Sequence, residues 1–169
     1  MVNSVHHYVE KGEEAHVKHW LGLCNDIDEV DGTGRTPLFV AVEASNNILA
    51  ALILKGSPNP NLPDRQQRYP IHLAIQSNNF KMVELLLTAK ADPDKRTAEG
   101  ENALSLLCAQ PGWDPSKAKT AELLLSRGCK VAFVTSQGNT CLHIASHQGL
   151  PKMMLILLTS GADADAINQ

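Results

Sequence analysis

At 169 residues and 43% hydrophobic, the chain is long enough to bury a sizeable core, and its length suits a single domain. A net charge of −3 and a pI near 6.1 provide no basic footprint for nucleic acid. No run approaches the roughly 18 apolar residues that cross a bilayer, and the opening MVNSVHHYVEKGEE lacks the charged-then-apolar order of a secretory signal. A cytoplasmic protein, with a nuclear one as the alternative, is the expectation.

Residues 1–30 read as a degenerate copy of the stretch that follows. Set 33 positions upstream of it, Val5 falls under Leu38, Trp20-Leu21 under Ile53-Leu54, and Asp28 under Asn61. Trp20 is expected in the core of this unit. His6, His7, Glu10, Lys11, Glu13, Glu14, His16, Lys18 and His19 are expected on its outer surface. An end repeat needs such a wet face because no neighbour covers it. It reads as a cap. His16 and His19 lie three apart, could share a helix face, and together with His6 or His7 could bind a divalent metal adventitiously. No cysteine or carboxylate completes a zinc-type set, so no metal site is expected.

Residues 31–63 form the first full unit. Asp31-Gly32-Thr33-Gly34 supplies a tight turn in which glycine takes positive φ. Helices are expected near 37–45 and 48–55, and Pro58, Pro60 and Pro63 stiffen the exit.

Residues 64–96 are the central unit. Pro70 opens a short helix at a position where its missing N–H costs nothing, with Ile71, Leu73, Ala74 and Ile75 as the apolar face. Met82, Val83, Leu85, Leu86 and Leu87 are apolar on the second helix. Gln67 stands in the place of Gly34, so the geometry of this turn stays open at this point.

Residues 97–134 deviate. Asn102-Ala103-Leu104-Ser105 lacks the neighbours' proline and histidine, and five extra residues fall in or near 110–117. Two prolines and a glycine there rule out continuous helix, so an enlarged loop is expected, with Asp114 or Ser116 capping a second helix near 117–127. Trp113 sits on this loop, and two readings of it stand. It is an interface anchor, of the kind tryptophan often supplies, or it folds back over its own unit to cover the insertion.

Residues 135–169 carry helices near 141–147 and 151–160. The stretch from Met153 to Leu158 is apolar all round, and Leu155 replaces Glu84 of the central unit. Further repeats, a partner, or the rest of a longer protein are expected to pack on Leu155 and its neighbours.

Catalytic patterns are missing. There is no G-x-S-x-G, no Cys-His signature and no Gly-rich phosphate loop. Cys24, Cys108, Cys129 and Cys141 form no C-x-x-C pair and are expected as reduced, packed thiols. Neither enzymatic activity nor a cofactor is expected.

The same hexapeptide recurs at a fixed step. Thr36-Pro37-Leu38-Phe39-Val40-Ala41 lies 33 residues before Tyr69-Pro70-Ile71-His72-Leu73-Ala74. Asn102-Ala103-Leu104-Ser105-Leu106-Leu107 lies 33 after it, and Thr140-Cys141-Leu142-His143-Ile144-Ala145 follows after 33 plus 5. A 33-residue period carrying T-P-L-H-x-A resembles the ankyrin repeat. The family's opening is matched by Asp31, Gly34, Thr36, Pro37 and Leu38, with Phe39 in the histidine place. Its Gly-Ala-Asp closing is intact at Gly161-Ala162-Asp163, partial at Ala91-Asp92, and replaced by Ser57-Pro58-Asn59.

The resemblance implies an all-α ankyrin-repeat solenoid of about five helix-turn-helix units with short β-turn or hairpin tips. It implies that His72 and His143 tie each turn to neighbouring backbone rather than bind a ligand. It also implies a non-catalytic protein–protein interaction module, working as adaptor, scaffold or inhibitor. The partner would be a loop, helix or tail of another protein, gripped by turn tips and the concave first-helix face. The positions carried over are Gly32, Thr33, Arg35, Glu43 and Ala44, then Arg65, Gln66, Arg68, Gln76 and Ser77. The later units supply Ala98, Glu99, Glu101, Ala109 and Gln110, then Ser136, Gln137, Asn139, His147 and Gln148. With Trp113, these are the candidate contacts. Basic Arg35, Arg65 and Arg68 precede acidic Glu99 and Glu101, which suits a partner acidic and then basic. The alternative is that these charges are solvated or pair between adjacent tips. Two other functions remain open: the N-terminal targeting or regulatory domain of a larger enzyme or membrane protein, and a small free-standing inhibitor of a kinase or transcription factor.

Overall fold

The computed structural model describes residues 4–23 and 26–168, so the expectation for Cys24 lies outside the described residues. Five helix pairs follow one another among the described residues. They are α1 Val5–Glu10 with α2 Glu14–Leu21, α3 Pro37–Glu43 with α4 Asn47–Leu54, and α5 Pro70–Gln76 with α6 Phe80–Thr88. Then come α7 Ala103–Ala109 with α8 Pro115–Ser126, and α9 Cys141–His147 with α10 Pro151–Thr159. The chain divides into two compact units, one ending at Ala91 and the other beginning at Asp92. In the first, α3 packs on α1, α4 and α5, while α4 packs on α2 and α6. In the second, α7 packs on α8 and α9, and α10 on α8 and α9.

Reciprocal caps start α7 and α9, while at α3 the Thr36 hydroxyl accepts the Phe39 N–H with no return bond. The Asn102 side chain accepts from the Ser105 N–H, and the Ser105 hydroxyl accepts from the Asn102 N–H, both at 2.9 Å. His143 plays the part of Ser105 at α9: its Nδ1 accepts the Thr140 N–H at 3.3 Å, while its own N–H donates to Thr140 Oγ1. At α5, Nδ1 of His72 accepts the Tyr69 N–H at 3.4 Å. In three of the four copies the hexapeptide's fourth residue, His72, Ser105 or His143, thus bonds back to the N-cap N–H as in a capping box. Asn102 and Ser105 keep that box although the motif's proline and histidine are gone.

Four turn tips close alike. The N–H of Asp31, Asp64, Thr97 and Thr135 donates to the carbonyl four residues on, at 2.9–3.0 Å. The residue before that carbonyl is left-handed: Gly34 at φ 82°, Gln67 at 58°, Gly100 at 79° and Gly138 at 76°. Gln67 therefore keeps the turn that glycine makes elsewhere, at the strain a side chain suffers there. Gln67→Gly should raise stability by up to about 1 kcal/mol, the relief of strain exceeding the entropy cost of glycine. Equilibrium urea unfolding would check this. In the last tip, an antiparallel bridge between Val134 and Thr140 makes a small hairpin.

Four expectations need correction. His6 is buried, not outward: it occupies the motif's histidine place, 33 residues before Phe39, and its Nε2 lies 2.9 Å from the Arg35 carbonyl oxygen. Trp20 is half-buried rather than core, because it sits at the end of α2 beside an open groove with Leu21, Ile27 and Leu52. The helix α8 starts at Pro115, two residues early, since Pro115 takes the first-turn position and the Asp114 side chain accepts from the Ser116 N–H. The five-residue insertion is only partly loop. Residues 110–114 exceed the three-residue connections of the other full pairs by two, and α8, at 12 residues against nine in α6 and α10, takes the other three.

Candidate protein-binding surface

In the N-terminal unit the expected basic contacts are already occupied. The Arg35 guanidinium bonds Glu10 at 2.9 Å, Asp31 at 2.8 Å and Glu43 at 2.7 Å. Arg68 bonds Asp64 at 2.6 Å and Glu43 at 3.3 Å, and lies 5.5 Å from the Phe39 ring centroid. Arg35, Glu43 and Arg68 thus join tips to first helices. Of the three arginines only Arg65 is left exposed without an ion pair among the described residues; Gln66 next to it and Gln76 at the end of α5 are exposed too. Sequence reasoning missed Glu10, Asp31 and Asp64. Their signal was an Asp-x-x-x-Arg spacing repeated at the 33-residue step.

Burial alone would raise the Asp31 carboxyl. Hydrogen bonds from the Thr33 hydroxyl, the Arg35 and Thr33 N–H groups and the Arg35 guanidinium outweigh it and hold the group well below its ordinary 3.8. A depressed carboxylate stabilises the fold above that value, and the contribution is lost as pH falls below it. Asp31→Asn should therefore cost about 1–2 kcal/mol at pH 7 and much less near pH 2. Urea midpoints at the two pH values would show the difference.

The C-terminal unit gathers six expected residues around one cavity of about 400 Å³: Glu99, Glu101, Ala109, Gln137, Asn139 and His147. Thr135, His143, Ile144 and Asn168 complete its wall. Burial, and then the Glu99 charge, push the Glu101 carboxyl upward. Neither carboxylate has a salt-bridge partner among the described residues. Gln148 is exposed just beyond α9, outside this cavity.

Trp113 stands apart from the cavity. It is half-buried, and the Lys152 ammonium of the following pair lies 5.5 Å from its ring centroid. The loop that carries it is held by a residue that sequence reasoning passed over. Buried Lys117 donates to the carbonyls of Gln110 at 3.0 Å, Pro111 at 2.9 Å and Gly112 at 2.7 Å. Burial lowers its pKa, while the Asp114 carboxylate and the Cys108 sulfur pull the other way.

Cys108, Cys129 and Cys141 are free and buried, as packed thiols should be. Contact with Cys141, and then burial, raise Cys108 well above the ordinary thiol value, and burial followed by the Asp94 carboxylate raises Cys129. Thiolates are disfavoured at both. Among the described residues no group of three His, Cys, Asp or Glu is placed to hold a metal, and no helix is long and apolar enough to cross a membrane.

A profile of ankyrin repeats, three copies long, matches residues 5–97 and 89–168. The chain belongs to the ankyrin-repeat family. Its fold is the family's all-α solenoid, and the family is one of protein–protein interaction modules, generally non-catalytic. A B-cell lymphoma 3 protein homolog from mouse is 33% identical over 145 residues, covering 82% of this chain and 32% of that protein. NF-kappa-B inhibitor alpha from pig is 32% identical over 111 residues, covering 63% of this chain and 34% of the inhibitor. The chain therefore spans about a third of these relatives. Among solved structures, an ankyrin repeat domain from Acinetobacter baumannii superposes with a TM-score of 0.89 at 25% identity, over 98% of this chain and 84% of that one. In ankyrin terms, residues 97–134 depart from the neighbouring full repeats through the Asn102–Ser105 cap and the Lys117-bound insertion.

Proposed function

We propose that the chain is a non-catalytic module that binds a loop, helix or tail of another protein through its turn tips and the exposed side of its first helices. The cavity of the C-terminal unit carries this reading, because six side chains expected to touch a partner line it together. Arg65, Gln66, Gln76, Gln148 and Trp113 supply outlying contacts. Arg35, Glu43 and Arg68 act mainly in cis, holding the tips in place for binding. A rigid tip lowers the ordering cost of association. The similarity to a protein named as an inhibitor of NF-kappa-B favours an inhibitor or adaptor role.

A second contact is favoured by α10. Leu155 is 63% exposed and Leu158 40%, so this face suits a further repeat or a neighbouring domain, as in a regulatory segment of a larger protein.

Capture from native lysate tests the main reading. The parent chain is compared with a variant carrying Gln76→Arg, Gln137→Arg and His147→Arg, and with Leu155→Glu. A partner held by the parent and by Leu155→Glu, but lost by the triple variant, is the expected result. A partner kept by the triple variant would overturn the tip-and-first-helix reading.

A further inference from the structure

The repeat register shows what the cavity lacks. Positions 35, 68, 101 and 139 are equivalent, at steps of 33, 33 and 38. The first two hold arginines, each paired with a carboxylate of its own tip, Asp31 or Asp64, and with one from a first helix, Glu10 or Glu43. In the C-terminal unit the same positions hold Glu101 and Asn139. The tip carboxylates are replaced by Thr97 and Thr135, whose hydroxyls accept the N–H groups of Glu101 and Asn139 at 3.2 Å. The places of Glu10 and Glu43 are taken by Ala109 and His147.

This tip geometry therefore holds guanidinium–carboxylate pairs in one unit and carboxylates without a guanidinium in the other. Arg96 does not fill the gap, since its guanidinium lies 4.4 Å from the Phe133 ring centroid and donates to the Val134 carbonyl. Ala109 in place of a carboxylate leaves room. Glu99 and Glu101 face that room with the carboxamides of Gln137 and Asn139, the Asn139 oxygen accepting one bond from the Asn168 side chain at 3.2 Å and keeping a second lone pair.

We propose that the cavity receives one arginine side chain of an extended partner segment, its guanidinium shared between the Glu99 and Glu101 carboxylates and the Gln137 and Asn139 carboxamide oxygens. The inference rests on the protein-binding reading above and names the chemistry of its partner. Four acceptors around one space match the five-donor fork of arginine better than the compact ammonium of lysine. Bonds between a guanidinium and carboxylates are among the stronger ones available at a half-exposed site.

The test needs no partner protein. The isotope-labelled chain is titrated with Nα-acetyl-arginine amide, with its neutral isostere Nα-acetyl-citrulline amide, and with Nα-acetyl-lysine amide, followed by NMR. The arginine compound should shift the amide signals of residues 99–101 and 137–139 and the side-chain NH₂ signals of Gln137 and Asn139. Citrulline should not shift them. Glu99→Gln with Glu101→Gln should weaken the response about tenfold, with the remaining spectrum unchanged as proof of folding. An arginine compound that shifts none of these signals, or a citrulline compound that matches it, would overturn the proposal. A lysine response equal to that of arginine would overturn the guanidinium assignment. Each of these failures leaves the capture experiment free to succeed, and loss of capture alone would not touch this titration.

Discussion

Phe39→Ala should destabilise the N-terminal unit by about 3–5 kcal/mol, the range for emptying a buried aromatic site. Phe39 is fully buried on α3, the helix that packs against α1, α4 and α5. Truncation leaves a cavity in the core that α3 shares with α1, α4 and α5, and removes the ring beneath the Arg68 guanidinium. Urea unfolding followed by circular dichroism reads the loss directly. A change below about 1 kcal/mol would mean that the surrounding helices collapse into the space, and that the site is not a well-packed core.

Lys117→Met should cost about 2–3 kcal/mol, because hydrogen bonds to a charged group are worth about that when nothing replaces them. The methionine keeps the apolar stem but abandons the Gln110, Pro111 and Gly112 carbonyls. The loop should loosen before the unit melts, so chymotrypsin should cut after Trp113 faster than in the parent. Unchanged cleavage and unchanged stability would show that the loop holds itself, with the lysine incidental.

Period and capping explain what was legible. A 33-residue step with an N-cap and its partner three places on repeats in four copies, and such local signals survive substitution so long as the chemistry survives. Asn102 with Ser105 does the work of threonine with histidine, and Gln67 adopts the angle of a glycine. The helix starts at Pro37, Pro70, Cys141 and Pro151 could be read for the same reason.

The site was half legible. Arg35 and Arg68 look like free surface charges in a sequence, but their partners Glu10 and Glu43 come 25 residues earlier and meet them only when first helices stack. Lys117 looks like one more solvated lysine, because nothing in its neighbours says that three carbonyls will converge on it. His6 was hidden by the loss of the motif around it, though the repeat step alone would have placed it opposite Phe39. Glu99 and Glu101 were visible as acids. That they remain unpaired follows from Glu101 and Asn139 standing where the N-terminal unit has Arg35 and Arg68, a relation that emerges only with the fold.

Hydrogen–deuterium exchange of the chain, alone and with its captured partner, tests the central claim most directly. Protection gained at residues 98–101 and 135–139, with α8 and α10 unchanged, is the predicted result. Protection confined to α8 and α10, with the tips exchanging as in the free chain, would contradict it.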